Sequence, residues 1–211
     1  MIPTQEEWIC TLEMRHGAAL QKRFSEGTVA VCGLGGLGSG IALLLARAGV
    51  GKLVLIDYDR VDITNLHRQQ YKACQIGCFK TEALAENLRE IAPYILLETK
   101  TQRVTEENCA DILGDVQMVC EAFDDPYAKA MLTDQVLGTM PDKYLVAASG
   151  MAGMGSPNAI RTKRLTPHFY LCGDGVSEVG ESCALLSTRA MLCAAHQAHT
   201  VLRLLAGEYE V

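Results

Sequence analysis

The sequence has no basic tract and no apolar run long enough to span a membrane. Its 211 residues include 19 Lys and Arg against 25 Asp and Glu, a formal net charge of −6, so we expect no nucleic-acid partner. The longest apolar run, near residues 41–46, falls far short of the roughly 20 residues that a span needs, so we expect no membrane contact. The polar, acidic start also lacks the pattern of a signal peptide, which predicts a cytoplasmic protein.

Closely spaced cysteine pairs are missing too. The chain has nine cysteines, an odd number, and none of them forms a C-x-x-C pair. This scatter does not fit the disulfide framework of a small secreted domain. A four-thiolate zinc site needs short paired spacings, so no structural zinc is expected. There is also no internal repeat, linker or low-complexity segment, and we predict one domain spanning residues 1–211.

Strand-like and helix-like segments alternate along most of the chain. The apolar run Thr28–Cys32 is followed by a glycine-rich turn, a helix at Ser39–Ala48 and a strand at Leu53–Ile56, which together predict a βαβ unit. The fold class is therefore α/β and Rossmann-like, a mostly parallel sheet with helices on both faces. Further helices are predicted at 4–24, 80–91, 105–113, 126–137 and 186–205, with strands at 96–99, 118–123 and 144–148.

The pattern changes after Gly150. Two strands, Ala159–Leu165 and Phe169–Cys172, are predicted before a loop at Gly173–Glu181. The glycine-rich stretch around Met151 and Met154 could line a channel for an extended peptide, because small residues let a chain lie close. An ordinary turn fits the same stretch equally well.

The glycine-rich turn has the spacing Gly33-x-Gly35-x-x-Gly38, with Gly36 inside it. Such a turn lets the backbone approach a ligand, and the N-terminus of the following helix offers unpaired N–H groups to phosphate. Asp57 lies 19 residues beyond Gly38, at the end of the next strand, where a carboxylate can bind ribose hydroxyls. Together these features predict a nucleotide site.

The residues after Asp57 bear on which nucleotide binds. Arg68 and Lys80 are expected beyond the carboxyl end of the sheet, together with Asn65 and Gln69. Two cations and two amides suit a triphosphate better than a pyrophosphate bridge. A nicotinamide-dependent oxidoreductase, or a module that binds nucleotide without turnover, remains open on the glycine pattern alone.

At this point the sequence resembles the ThiF/MoeB/ubiquitin-activating adenylyltransferase family, over roughly residues 15–206. Within the family it is most similar to the short ThiF-type enzymes that act on the sulfur carrier of thiamine biosynthesis. The family motifs occur in order at residues 33–39, 55–59, 65–69, 77–80 and 123–125, and the features of the short branch occur at 14–17, 172–174 and 194–198.

The resemblance implies ATP, Mg²⁺ and a ubiquitin-like sulfur-carrier protein that ends in Gly-Gly, whose terminal carboxylate is adenylylated with release of pyrophosphate. A molybdopterin-type or other carrier is the alternative. It also implies a homodimer, and a C-terminal strand region that is reduced relative to the larger members of the family. The implied roles are ribose binding by Asp57, phosphate binding by Asn65, Arg68, Gln69 and Lys80, a place for Asp59 in the nucleotide-binding set, Mg²⁺ binding by Asp124, and an Arg15 that reaches the partner subunit's ATP site.

Cysteines in parts of this family take the activated carrier covalently. Cys172 and Cys183 flank the predicted loop and are the candidates here. Cys32, Cys120 and Cys193 lie in apolar runs, where free cysteine packs as a small hydrophobe.

Overall fold

A computed structural model of the chain describes residues 2–177 and 184–211. In these residues a seven-stranded sheet has the order β3-β2-β1-β4-β5-β7-β6, parallel throughout except for the antiparallel pair β6 and β7. The predicted α/β, Rossmann-like class is confirmed. The strands are β1 Thr28–Cys32, β2 Lys52–Ile56, β3 Leu96–Lys100, β4 Met118–Glu121, β5 Tyr144–Ala148, β6 Arg161–Thr166 and β7 Phe169–Gly173.

Helices cover both faces of the sheet. They are α1 Gln5–His16, α2 Ala18–Ser25, α3 Gly36–Arg47, α4 Lys80–Ile91, α5 Cys109–Leu113, α6 Pro126–Thr139 and α7 Ser187–Leu205. Side chains alternate between the faces of a strand, so Val29 and Val31 of β1 pack with α3, α4 and α7, whereas Ala30 and Cys32 pack with α5 and α6. The central strand is therefore buried on both sides, as its unbroken apolar sequence predicts.

The first helical segment is two helices rather than the single helix predicted over residues 4–24. Gly17 separates α1 from α2 with φ +87°, a left-handed conformation that a side-chain-bearing residue rarely adopts. Thr4 caps α1 by accepting a hydrogen bond from the Glu7 N–H. α1 buries none of its residues, while α2 buries Gln21 and Phe24. The apolar spacing of residues 4–24 continues across Gly17, so the sequence pattern does not mark this break.

Other predicted boundaries shift by a few residues for local reasons. Strand β4 ends at Glu121 instead of Phe123, because the Glu121 carboxylate accepts the Phe123 N–H at 2.7 Å and turns the chain. Strand β6 begins at Arg161, after a 3₁₀ turn at Pro157–Ala159. Helix α3 begins at Gly36, inside the glycine motif.

None of the helices in the described part of the chain combines the length and the apolar character that crossing a membrane requires.

Candidate nucleotide-binding site

A cavity of about 670 Å³ opens beyond the carboxyl ends of the parallel strands. Its walls come from the segments that follow β1, β2, β4 and β5, and from the start of α7. Ligands of open α/β sheets bind at this edge, because the loops after the strands converge there. Of the residues singled out from the sequence, the cavity is lined by Gly33, Gly35, Gly36, Asp57, Asp59, Arg68, Gln69, Lys80 and Asp124.

The glycine turn connects β1 to α3 at the base of this cavity. Gly33 has φ +89°, and a Cβ there would lie 2.7 Å from the Ala122 carbonyl oxygen, so the turn needs glycine. A Cβ on Gly38 would lie 1.8 Å from the Gly33 carbonyl oxygen. Gly38 therefore serves the close packing of α3 on the turn and does not line the cavity, whereas Gly35 and Gly36 face it at the N-terminus of α3.

Asp57 ties the glycine turn to the end of β2. Its carboxylate is 8% exposed and accepts the Leu34 N–H at 2.7 Å and the Asp59 N–H at 2.8 Å. The Tyr71 hydroxyl donates to the Leu34 carbonyl on the same turn at 2.7 Å. Burial, with the nearby charges of Asp57 and Asp59, raises the pKa of Tyr71, which keeps this donor protonated. The turn is thus held in place before any ligand arrives. Asp57 keeps acceptor capacity for a hydroxyl, because each carboxylate oxygen can accept more than one hydrogen bond.

Lys80 is buried at the start of α4 and points at two carboxylates. Its Nζ lies 2.8 Å from Asp59 Oδ2 and 3.9 Å from Asp57 Oδ2. The backbone N–H of Lys80 also donates to the Asp59 carbonyl at 2.9 Å. The cation expected to meet phosphate is therefore already neutralised in this structure, and a phosphate has to compete with Asp59 for it.

Arg68 has no carboxylate partner in the described part of the chain, which leaves its charge available to a ligand. One guanidinium nitrogen donates to the Thr64 carbonyl at 3.0 Å, and the alkyl stem lies near Gly36. The adjacent Gln69 is 6% exposed, and its Oε1 has no hydrogen-bond partner among the described residues. An unpaired buried carbonyl is costly, so Gln69 is poised to accept from a ligand.

Asn65 does not line the cavity in this structure, so the phosphate contact expected for it stays a prediction. Its side-chain oxygen accepts the Asp62 N–H at 3.1 Å, and the Asp62 carboxylate in turn accepts the Thr64 N–H at 2.8 Å. This reciprocal pair caps the short 3₁₀ helix Ile63–Asn65. Asn65 thereby shapes the loop that carries Arg68 and Gln69.

Asp124 and Asp125 divide two roles at the end of β4. Asp125 caps α6 by accepting the Tyr127 N–H at 3.1 Å, and Pro126 takes the first helical position. Asp124 is exposed and lines the cavity. No group of three or more His, Cys, Asp or Glu residues in the described ranges could hold a metal. A lone carboxylate facing a phosphate site still fits Mg²⁺, which commonly takes one or two carboxylates plus phosphate oxygens and water.

Glu121 and Lys129 form an ion pair next to the cavity that was not predicted from the sequence. Lys129 Nζ lies 3.0 and 2.8 Å from the two Glu121 oxygens and 3.1 Å from the Phe123 carbonyl. Burial raises the pKa of Glu121, and Lys129 opposes that shift. A charged residue at the end of an apolar strand indicates an oppositely charged partner, but the sequence does not show which residue that partner is.

Arg189 and Asp174 form a second missed pair, on the other side of the cavity. The guanidinium of Arg189, 5% exposed, lies 2.6 Å from Asp174 Oδ2. Burial disfavours the charged form of Asp174, but the N–H groups of Ser177 and Val176, the Ser177 hydroxyl and Arg189 outweigh it and lower the pKa of Asp174 to about 2. Part of the predicted loop, residues 174–177, is thereby held in a defined turn.

Two further candidates lie away from the cavity. Cys172 is fully buried, and burial raises the pKa of its thiol to about 11 despite hydrogen bonds from Thr162 and Thr200. A thiol of that kind is a poor nucleophile. Cys183 lies outside the described residues. Arg15 is exposed in the last turn of α1 and does not line the cavity of its own chain.

A family model and curated relatives both match most of the chain. The model of the ThiF family matches residues 11–211. The chain is 30% identical over 153 residues to "Adenylyltransferase and sulfurtransferase UBA4" of Lodderomyces elongisporus, covering 72% of this chain and 33% of that protein. It is 42% identical over 84 residues to "Ubiquitin-like modifier-activating enzyme 5" of Arabidopsis thaliana, covering 40% of this chain and 20% of that protein. The chain spans about a third of the length of the UBA4 relatives it matches.

A solved structure shares the fold over the whole chain. The E. coli tRNA N6-threonylcarbamoyladenosine dehydratase TcdA, in complex with ATP, superposes with a TM-score of 0.87, covering 99% of this chain and 98% of that one at 21% identity.

Proposed function

The chain belongs to the ThiF family, and from that premise we propose that it is an ATP-dependent adenylyltransferase that activates the C-terminal carboxylate of a ubiquitin-like carrier protein. One observation carries the proposal: a single cavity brings together the glycine turn, the Asp57 carboxylate, Arg68, Gln69, Lys80 and Asp124. The adenylyltransferase and ubiquitin-like-activating names of the relatives agree with it.

The cavity suits the reaction step by step. The N–H groups at the start of α3 and the cations Arg68 and Lys80 would hold the phosphates, and Asp57 the ribose. The carrier's carboxylate oxygen would attack the α-phosphorus, form an acyl-adenylate and release pyrophosphate. Such a step depends on positioning and charge neutralisation more than on a strong base. Mg²⁺ bound through Asp124 would supply part of that neutralisation.

Charge balance supports a site shared between two copies of the chain. Lys80 is paired with Asp59, and Lys129 with Glu121, so Arg68 is the unpaired cation of the described cavity wall. Even with one Mg²⁺, a single guanidinium does not balance the negative charge of a triphosphate and the carboxylates of Asp57 and Asp124. We propose that the protein is a homodimer in which Arg15 of one copy supplies the missing charge to the site of the other. The exposed position of Arg15 is compatible with this role.

The proposed partner is a sulfur carrier that ends in Gly-Gly, and the proposed pathway is delivery of sulfur to the thiazole of thiamine, in the cytoplasm. The pathway rests on the resemblance of residues 14–17, 172–174 and 194–198 to the short ThiF-type enzymes. A molybdopterin-type carrier would require the same chemistry, so the pathway needs its own experiment.

ATP–pyrophosphate exchange tests the proposal. The purified chain with Mg²⁺ and radiolabelled pyrophosphate should exchange label into ATP only when a ubiquitin-fold protein ending in Gly-Gly is added. The same carrier lacking its last two glycines is the matched control. Higher exchange with a thiamine-type than with a molybdopterin-type carrier would support the pathway. No exchange with any carrier, together with tight binding of NAD, would overturn the function.

A further inference from the structure

One wall of the cavity carries no charge. It consists of residues 148–152, from the last residue of β5 onward, together with Leu185 and Leu186 just before α7 and Ala190 in its first turn, and we call it the uncharged wall. In the sheet, β5 is separated from β2 by β4 and β1, so this wall lies across the cavity from Asp57 and Asp59. Small residues dominate it, and a polypeptide without side chains could lie close along it.

The part of the uncharged wall that follows β5 lies outside helices and strands and needs other support. Gly150 has φ +80°, and its carbonyl accepts the Asp174 N–H at 2.9 Å. A Cβ at Gly150 would lie 2.1 Å from Asp174 Oδ1, so the Asp174 side chain packs directly on the turn. The Ser149 carbonyl accepts the Gly175 N–H at 3.0 Å. The segment after β7 therefore supports the segment after β5.

Arg189 joins both segments to α7. Its guanidinium donates to the carbonyls of Gly155 and Ser156 at 2.8 and 3.0 Å, and to Asp174 Oδ2 at 2.6 Å. Asp174 also accepts from the N–H groups of Val176 and Ser177. Three separate stretches of chain thus meet at one buried ion pair. Neither Arg189 nor Asp174 lines the cavity.

We propose that Arg189 and Asp174 are positioning residues for the partner's C-terminal tail. They hold the uncharged wall in one conformation, along which an extended Gly-Gly tail lies with its carboxylate directed at the nucleotide. A glycine tail offers only backbone groups, so a wall that first has to become ordered weakens its binding. The inference rests on the proposed function. The ion pair between Arg189 and Asp174 then supports binding of the carrier and not binding of ATP.

The experiment separates binding of the carrier from binding of ATP. Arg189→Ala, Arg189→Lys and Asp174→Asn are assayed by exchange against increasing concentrations of the Gly-Gly carrier that is active with the unmodified chain. ATP affinity is measured without carrier by calorimetry. Arg189→Ala should raise the half-saturating carrier concentration about tenfold or more, and change the ATP dissociation constant by less than about twofold. Arg189→Lys should recover part of the loss, because an ammonium keeps the charge but not the planar fork.

A surface arginine on the same helix provides the control. Arg203→Ala should change neither constant, because the partners of the Arg203 guanidinium among the described residues are the Glu208 carboxylate and the Glu210 carbonyl, which do not line the cavity. If Arg189→Ala does not fold, as judged by circular dichroism, then Arg189→Lys and Asp174→Asn decide the question.

The outcomes are distinguishable. An unmodified chain that supports no exchange overturns the proposed function, and the inference falls with it. If the unmodified chain is active, two results overturn the inference alone. Either the folded Arg189 and Asp174 variants lose affinity for ATP, or they lose turnover while the half-saturating carrier concentration stays unchanged.

Discussion

Replacing Lys129 with Met should isolate the carboxylate of Glu121 in the protein interior. Glu121 is 1% exposed, and both of its oxygens lie within 3.0 Å of Lys129 Nζ. After the substitution, the backbone N–H groups of Phe123, at 2.7 Å, and of Ala148 are its remaining described hydrogen-bond partners, and neither carries a charge. An uncompensated buried charge is far more costly than a missing surface ion pair, because the removed partner is replaced neither by water nor by another charge.

The expected cost follows from the burial of the two partners. Breaking a buried pair by removing one member typically costs about 3–5 kcal/mol. Lys129 is 25% exposed, so water can approach part of the vacated space. We therefore expect the free energy of unfolding to fall by about 2–3 kcal/mol at pH 7.5. The exposed Lys22, which lies 3.9 Å from Glu26 on α2, is the matched control, and Lys22→Met should cost less than about 0.5 kcal/mol.

The cost should depend on pH in a defined direction. Burial raises the pKa of Glu121 above its ordinary value, and the loss of Lys129 raises it further. An acid whose pKa is higher in the folded than in the unfolded protein contributes fully to stability at pH values below its pKa in the unfolded protein. That contribution is lost as the pH rises through its pKa in the folded protein. The loss in free energy of unfolding caused by Lys129→Met should therefore be smaller at pH 5 than at pH 7.5.

Urea denaturation followed by circular dichroism measures these differences. The double variant Glu121→Gln/Lys129→Met removes both charges and should be more stable than Lys129→Met at pH 7.5. The reasoning is refuted if Lys129→Met costs the same at both pH values, or if the double variant is no more stable than the single one.

Four further outcomes follow from the site. Asp124→Ala should abolish exchange with the fold intact by circular dichroism, and normal exchange would remove Asp124 from the metal site. Arg15→Ala mixed with Arg68→Ala should regain part of the activity in mixed dimers, and no regain after confirmed subunit exchange would contradict a shared site. The pKa of Asp174 is lowered to about 2 in the folded protein, so the ionised carboxylate stabilises the fold above the unfolded pKa of about 4. The free energy of unfolding should therefore decline from pH 4 towards pH 2, and it should decline less in Asp174→Asn. Cys172→Ser should retain exchange, because the buried thiol is not expected to react, and a complete loss would argue for a chemical role.

The βαβ unit was predictable because its determinants are local. The apolar run of β1, the glycine spacing and Asp57 at the end of β2 lie within 30 residues, and each has one dominant structural interpretation. The same holds for the capping of α6 by Asp125, since Pro126 fixes where α6 begins.

The two buried ion pairs were not predictable for the opposite reason. Arg189 and Asp174 are 15 residues apart, and nothing in the sequence around either residue selects the other as its partner. Asn65 shows a different limit. Its residue type suits both phosphate binding and a 3₁₀ cap, and the sequence alone does not show that its side-chain oxygen accepts the Asp62 N–H. The break at Gly17 was hidden because α1 and α2 continue one apolar periodicity.

A crystal structure with a non-hydrolysable ATP analogue and Mg²⁺ tests whether this cavity binds a triphosphate. We predict that the triphosphate lies over the turn from Gly33 to Gly36, with Arg68 and Lys80 on its oxygens and the metal between the phosphates and Asp124. A nucleotide bound elsewhere, or an Arg68 that points into bulk water while the cavity is filled, would contradict it.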